Sequence, residues 1–314
     1  MGRMQSMKLI GLEDLGVITL RGPDVVRFLQ GQLSADVEQL RPERSVLGGY
    51  HNPQGRVIAL LRLLQLDAQS VLAVVPRDLA AVVVTRLSKY VLRAKVRIAA
   101  ELQEWRIGGL LAAQGAPAAS AALQTQKLPE GCVLTPLGES GSRWLLVHRS
   151  DHALPPLGFD FSQGIDADPA WRRTDIAEGL AQVYGATSEQ FVAQMLNLDA
   201  LGVIAFDKGC YTGQEVIARA HYRGRVKRRM QRFVSRSPCQ LSPGDSGVLQ
   251  DGRSFKVVLA APLEDGRSDF LAVAALPGGT PGSADAQGGA VESAAPPAAT
   301  VCADPAPLPY SLPE

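Results

Sequence analysis

The octapeptide KGCYTGQE, residues 208–215, predicts a loop and a helix around which the rest of this chain is arranged. An apolar run of strand length, residues 203–206, precedes it, and its two glycines permit backbone conformations that a residue with a Cβ rarely adopts. The spacing of Thr212 and Glu215 fits a capping box. We therefore expect a tight loop followed by a helix that continues through Ala220.

Cys210 lies just ahead of this predicted helix N-terminus and two residues from Lys208. Both neighbours favour the thiolate, so the position predicts a nucleophilic cysteine, although the acid Asp207 beside Lys208 partly offsets the field. The alternative is that Thr212 and Glu215 only begin a helix, and that Cys210 is a small buried apolar residue.

Several stretches together resemble the YgfZ-type folate-binding proteins, which are relatives of the glycine cleavage T-protein, an aminomethyltransferase. They are KGCYTGQE with the Ala-Arg pair at 218–219, FLQGQLSADV, NPQGRV and KYVLRAKV, and the resemblance extends over residues 16–233. It implies an α+β fold, with a T-protein-like multidomain arrangement around a central folate-sized cavity and a small C-terminal β-barrel.

The expected domains follow from this resemblance and from composition. Residues 8–50 and 150–232 are assigned to a discontinuous central folate-binding domain, and residues 51–149 to an α+β domain. Residues 233–276 alternate short apolar runs with Pro-Gly and Asp-Gly turns, which predicts the β-barrel. Residues 277–314 are rich in Gly, Ala, Pro and Ser without periodicity, which predicts a disordered tail.

The resemblance implies an accessory protein that binds tetrahydrofolate and supports the assembly or repair of iron-sulfur enzymes, including those that modify tRNA. Cys210 and Lys208 are its implied functional pair. In the T-protein branch a glutamate hydrogen-bonds the pterin, whereas here the acid is displaced by one position, in Ala177-Glu178. In a strand that shift would turn Glu178 to the opposite face. The implied folate-binding residues are Tyr211, Gly213, Gln214, Glu215, Arg219 and Glu178.

An alternative function is that of an aminomethyltransferase or another tetrahydrofolate-dependent one-carbon transferase. Asp78, in PRDL at the start of a predicted amphipathic helix over residues 78–92, is then the proton-handling residue. The other interpretation is that Asp78 only complements the helix dipole. One-carbon transfer to folate needs an acid or base but no thiol, so Cys210 favours the accessory function.

A basic run without acidic residues follows the motif and predicts contact with a polyanion. A folate tail, a tRNA backbone bound weakly by residues 223–232, or an acidic protein would each suit it, and binding of tRNA without folate chemistry is a third possible function. The alternative is a solvated strand edge. The run comprises Arg219, Arg223, Arg225, Lys227, Arg228, Arg229 and Arg232.

Composition limits the remaining functions. The 314 residues have a formal net charge of +1, so any anion must bind a local patch. The four cysteines form no CxxC pair, which argues against disulfides and zinc, and we predict no metal site. Glu13 and Asp14 interrupt any secretory signal, and no stretch predicts a membrane span, so we expect a cytoplasmic protein. His51, beside an Asn-Pro turn, is interpreted as a surface or packing residue.

Overall fold

Strands outnumber helices in the computed structural model, which describes residues 7–112, 128, 130–138, 142–152, 169–224, 226–277 and 300–313. The helices are α1 (Val25–Gln30), α2 (Ala80–Ser88), α3 (Ala170–Ala177) and α4 (Gln214–Arg223). The strands are β1 (Met7–Gly11), β2 (Leu15–Arg21), β3 (Val46–His51), β4 (Val57–Asp67), β5 (Ser70–Pro76), β6 (Arg97–Ala100), β7 (Trp105–Ala112), β8 (Cys132–Pro136), β9 (Arg143–Arg149), β10 (Arg228–Ser235), β11 (Ser246–Leu249), β12 (Ser254–Pro262), β13 (Ser268–Ala275), β14 (Thr300–Val301) and β15 (Ala303–Ala306).

A five-stranded antiparallel sheet with the order β3-β4-β5-β2-β6 lies at the centre of the fold. The long apolar run of β4 is buried on both faces, because Leu63 belongs to one buried cluster and its neighbour Leu64 to another. Such burial explains why β4 does not alternate apolar and polar residues. The first cluster also includes residues of α1, α2, the segment 191–204 and the C-terminal strands.

The hairpin of β3 and β4 corrects one predicted domain boundary. Their pairing runs from Val46 opposite Leu63 to His51 opposite Val57. A division between residues 50 and 51 therefore separates two hydrogen-bonded strands of one sheet. The turn-rich sequence after Tyr50 marks a hairpin connection rather than a change of domain.

A four-stranded antiparallel sheet with the order β1-β7-β9-β8 packs on the other face of β4 and β5. Trp105 and Trp171 are buried in the cluster between the two sheets. Gly109 on β7 leaves room for the Trp171 ring, because a Cβ there would lie 2.3 Å from a ring carbon. This contact positions α3, which begins at Ala170, against the sheet.

The C-terminal sheet is nearly closed and barrel-like, as predicted, with the order β14-β11-β12-β13-β10-β15. Phe233, Phe255 and Phe270 fill its interior. All its pairs are antiparallel except the parallel pair of β11 and β14. It starts at Arg228, five residues before the predicted barrel boundary.

The prediction of a disordered tail is wrong for residues 300–313. Strands β14 and β15 add to two edges of the barrel-like sheet. Beyond them Tyr310 donates a hydrogen bond of 2.8 Å to the Gly179 carbonyl. A few residues are enough to pair with an exposed strand at the edge of a sheet. The average composition of the tail does not indicate which residues these are. Residues 278–299 lie outside the described part of the chain.

Two further expectations concern helices. The predicted helix over residues 78–92 is present but shorter: a 3-10 turn, Arg77–Leu79, leads into α2, which ends at Ser88. Leu92 has a φ of +43°, a left-handed conformation incompatible with a continuing α-helix. Within the described ranges, no helix combines the length and apolar character that crossing a bilayer requires.

Candidate functional site

The motif loop, residues 208–213, leads directly into α4. Gly213 is the residue that starts the helix, and its φ is +82°. A Cβ at Gly213 would lie 2.6 Å from the Asn52 carbonyl oxygen and 3.2 Å from the Gly55 Cα. Glycine is required here because the loop approaches the backbone of the β3–β4 turn so closely.

The helix after the motif is therefore confirmed, but its predicted capping box is wrong. No side chain caps α4, since the N-cap position is held by Gly213 rather than by Thr212. The close approach to the β3–β4 turn requires a glycine with positive φ at the N-cap, so the helix begins one residue later than the sequence pattern indicates. Glu215 lies exposed in the first helical turn, where its charge complements the helix dipole.

Lys208 ties the motif loop to the segment that follows α1. Its Nζ donates hydrogen bonds to the backbone carbonyls of Gln30 (2.7 Å), Leu33 (2.8 Å) and Ala35 (2.7 Å). An ammonium group has three N–H donors, so these three acceptors use its donating capacity. Burial lowers the pKa of Lys208 to about 8. Lys208 therefore has a structural function, which is to connect the motif loop to the segment that follows α1.

The segment held by Lys208 is the predicted FLQGQLSADV stretch. Gln30 is not merely a solvated helix residue, because its amide nitrogen donates to Asp36 Oδ1 (3.0 Å) and its amide oxygen accepts from Val37 N (2.7 Å). Gln32 keeps a buried amide oxygen that has no hydrogen-bond partner among the described residues. Gln30 therefore stabilises its own segment, and its amide oxygen also lies 3.3 Å from Lys208 Nζ of the motif loop.

Cys210 is an exposed, unpaired cysteine on the motif loop. A Cβ at the preceding Gly209 would meet nothing within 4 Å, so the loop is open to solvent on this side. The neighbouring Tyr211 points inward: it is 7% exposed, and burial raises its pKa to about 12. Lys208 Nζ lies 5.3 Å from the centroid of the Tyr211 ring. The loop is thus anchored by its lysine and tyrosine and presents its thiol.

His51 is a buried residue of this site that the sequence interpretation undervalued. It is 1% exposed, burial lowers its pKa to about 3, and neither ring nitrogen has a partner within the described ranges. Its ring centroid lies 6.3 Å from that of Tyr211. A Cβ at Gly213 would lie 3.2 Å from the His51 Cβ. The sequence does not predict this contact, because no pattern near His51 in the chain indicates that the motif loop lies beside it.

A cavity of about 200 Å³ lies between the β3–β4 hairpin, the end of α2 and the motif loop, which contributes Thr212. Ligand pockets for drug-sized molecules span roughly 300–1,000 Å³, so this cavity suits one ring system rather than a whole folate. The resemblance implies a folate-sized central cavity, whereas this cavity is smaller, and Thr212 is the one residue of the motif that lines it. The lining residues are Tyr50, His51, Asn52, Pro53, Ile58, Arg86, Lys89, Tyr90 and Thr212.

The predicted residues Asp78 and Glu178 make other contacts. Asp78 is exposed, and its Oδ2 accepts a 2.8 Å hydrogen bond from the Gly185 backbone N–H. Glu178 accepts a 2.6 Å bond from Arg143, a guanidinium that is 1% exposed and also bonds Asp175 at 2.6 Å. Glu178 follows a helix rather than lying in a strand, so the expected reversal of its face does not apply.

The basic run does not form one exposed patch. Arg229 and Asp199 form a doubly hydrogen-bonded pair with N–O distances of 3.0 Å, and both side chains are 4% exposed. Arg232 pairs with Asp269 at 2.8 Å, and Arg219 lies exposed on α4. Arg225 lies outside the described residues. Because Arg229 and Arg232 are neutralised by partners, the run has fewer cations available for a polyanion than its sequence indicates.

A small aromatic group lies on the exposed side of α4. The rings of Phe206 and His221 stack with centroids 3.9 Å apart, and Tyr222 meets both edge-on and is 69% exposed. Across the described ranges, no group of three or more His, Cys, Asp or Glu side chains is placed to hold a metal ion.

No family model matches the chain. Curated proteins named tRNA-modifying protein YgfZ are similar to most of it. The protein of Pectobacterium carotovorum is 33% identical over 271 residues, which cover 82% of this chain and 80% of that protein. Those of Klebsiella pneumoniae and Escherichia coli are 32% and 31% identical, and each match covers 83% of both chains.

Among solved structures, the glycine cleavage system aminomethyltransferase T from Bartonella henselae is similar, with a TM-score of 0.62. The match covers 87% of this chain and 79% of that protein at 15% sequence identity. At this identity the likeness establishes the fold alone. It confirms the predicted α+β, T-protein-like arrangement.

Proposed function

Because this chain belongs to the YgfZ family of tRNA-modifying proteins, we propose that it is a folate-binding accessory protein that supports the assembly or repair of iron-sulfur enzymes, including those that modify tRNA. The observation that supports this proposal most is the exposed, unpaired thiol of Cys210 on an anchored loop. A purely structural cysteine is usually buried, since its thiol behaves as a small apolar group.

The anchoring of the loop makes the thiol suitable for work on a partner protein. Lys208 fixes the start of the loop through three carbonyls, and the close contact at Gly213 fixes its end. Cys210 between them is held in place while remaining accessible. A thiolate is both a nucleophile and a ligand for soft metals, which are the properties that iron-sulfur chemistry uses.

For folate, we propose that Arg219 binds the anionic tail, because an exposed guanidinium can form two parallel hydrogen bonds with a carboxylate. Tyr211, Gly213, Gln214 and Glu215 would shape the adjoining surface. Glu178 would accept N–H groups of the pterin edge. Its side chain is 35% exposed and its bond to Arg143 uses Oε2, which leaves Oε1 for this purpose.

The experiment that tests the thiol compares two exposed cysteines of the chain. Cells that lack the native protein are supplied with Cys210→Ser, Cys210→Ala or the matched control Cys302→Ser. The product of a tRNA-methylthiolating iron-sulfur enzyme is then measured by mass spectrometry of digested tRNA. We expect both Cys210 variants to lose the modification and Cys302→Ser to retain it. Normal methylthiolation with Cys210→Ser overturns the proposed thiol function.

The same assay separates a second candidate function. The aminomethyltransferase fold is compatible with a tetrahydrofolate-dependent one-carbon transferase in which Asp78 handles the proton. In that case Asp78→Asn abolishes activity and Cys210→Ser has almost no effect. In the accessory function the order is reversed, since Asp78 only holds the Gly185 backbone.

A further inference from the structure

The loop after α2 has a strongly cationic, exposed surface that the proposed function does not use. We call residues 89–97 the cationic loop. No acidic residue occurs between Asp78 and Glu101, and the loop contains four exposed cations. They are Lys89, Arg93, Lys95 and Arg97.

The cationic loop is held in one conformation rather than hanging free. Val91, Ala94 and Val96 pack against the main buried cluster. The backbone N–H of Lys95 donates a 2.7 Å hydrogen bond to Asp24 Oδ2, and that of Ala94 donates one of 2.7 Å to the Val91 carbonyl. The residues between these anchors therefore project outward from a fixed backbone.

Two large side chains project together with the cations. Tyr90 is 45% exposed and Leu92 is 87% exposed. Exposed aromatic rings between cations are the combination with which proteins bind single-stranded nucleic acid, because bases stack on the rings and phosphates bind the cations. A solvated strand edge would explain the cations at β6, but it does not explain an exposed tyrosine beside them.

The cavity continues this surface inward. Lys89 and Tyr90 line it together with Arg86, Asn52 and Thr212. Its volume of about 200 Å³ accommodates one flat ring system. Asn52 and Arg86 already bond Glu189, which leaves the Lys89 ammonium and the Thr212 hydroxyl for the hydrogen-bonding edge of a base.

We propose that the cationic loop and the adjoining cavity bind a single-stranded segment of RNA. Lys89, Arg93 and Lys95 contact its phosphates, Tyr90 stacks on a base, and the cavity holds a neighbouring base that has left the stack. This site goes beyond the proposed function. Its residues are distinct from Cys210 and Arg219, so either proposal can fail without the other.

The test measures fluorescence anisotropy of a fluorescein-labelled 12-nucleotide single-stranded RNA, with the same RNA in a duplex for comparison. We expect the full-length protein to bind the single strand more tightly than the duplex. Each phosphate neutralised on a single strand contributes about 0.7 to the slope of log K against log salt. The triple variant Lys89→Gln, Arg93→Gln, Lys95→Gln should therefore flatten this slope by about 2.

A matched triple variant removes three other exposed cations of the chain, Arg41→Gln, Arg44→Gln and Arg106→Gln. The first two lie before β3 and the third lies on β7, outside the cationic loop. We expect this control to leave the salt slope unchanged. Equal flattening by both triple variants would show a general charge effect and would overturn the proposal, as would duplex binding as tight as single-strand binding.

Tyr90 separates stacking from charge. Stacking of a base on an aromatic ring contributes about 1–3 kcal/mol, so Tyr90→Ala should weaken RNA binding about 5- to 150-fold, and Tyr90→Phe should restore it. Thermal unfolding of each variant verifies that the fold is intact.

Displacement of the RNA by tetrahydrofolate would assign the cavity to folate. If the parent protein binds phosphatidylserine vesicles but not RNA, and the loop triple variant no longer binds the vesicles, the loop would be assigned to membranes. Either result overturns the proposal.

Discussion

Replacing Lys208 by methionine should loosen the connection between the motif loop and the segment after α1. The substitution keeps an unbranched side chain of similar length but removes the ammonium group. The carbonyls of Gln30, Leu33 and Ala35 then lose a donor that lies 2.7 to 2.8 Å away. No other change to the motif removes three contacts with a segment more than 170 residues earlier in the chain.

The expected cost follows from the balance of two terms. A hydrogen bond to a charged group contributes about 1.5–3 kcal/mol, and three are lost. The variant, however, avoids the cost of burying an ammonium group. That cost is the reason why the pKa of Lys208 is lowered to about 8. We therefore expect Lys208→Met to lower the free energy of unfolding by about 2–4 kcal/mol.

The assay is urea denaturation of the full-length protein followed by circular dichroism. Lys89→Met is the matched control, because Lys89 is exposed and substitutions at such positions change stability by roughly 0.5 kcal/mol or less. A Lys208→Met variant as stable as this control would refute the structural function assigned to the lysine.

The pH dependence of stability gives Lys208 a second signature. Its pKa is about 8 in the folded protein and 10.5 in the unfolded chain, so the unfolded chain binds more protons between these values. The contribution of Lys208 to stability therefore increases as the pH rises from about 8 to 10.5. The difference in unfolding free energy between the parent and Lys208→Met should grow over that range.

Three further predictions concern the surroundings of the site. Gly213→Ala should destabilise the protein more than Gly202→Ala in thermal unfolding, because both residues have positive φ but only at Gly213 would the added Cβ lie closer than 3 Å to a backbone atom, the Asn52 carbonyl oxygen. Arg229→Gln should cost about 3–5 kcal/mol in urea denaturation, because it leaves the buried Asp199 without its partner, and a cost below 1 kcal/mol would contradict this. His51 has a pKa of about 3 when folded and 6.5 when unfolded, so its contribution to stability should be lost as the pH falls through this interval, and His51→Phe should flatten acid unfolding curves there.

Local sequence patterns predicted the elements whose conformation depends on neighbouring residues. The helix after the motif and the barrel-like C-terminal sheet follow from apolar periodicity and from turn residues. The capping box failed because a distant hairpin determines where the chain turns left-handed: Gly213 meets the Asn52 carbonyl. A pattern within eight residues contains no information about that contact.

The contacts of charged residues were also beyond the sequence. Lys208 was paired with Cys210 because they are close in the chain, yet its acceptors are carbonyls more than 170 residues away. One property of the basic run could have been predicted from the sequence, namely that its cations do not all lie on one face. Arg228 and Arg229 are neighbours on a strand, so their side chains point to opposite faces and cannot both belong to one exposed patch.

Binding of tetrahydrofolate to the purified protein, measured by isothermal titration calorimetry, tests the central proposal most directly. We predict saturable binding at one site per chain, unchanged in Cys210→Ser and weakened in Arg219→Gln, because the guanidinium contacts the anionic tail while the thiol acts on a partner. Absence of saturable binding to the parent protein would contradict the proposal that this is a folate-binding protein.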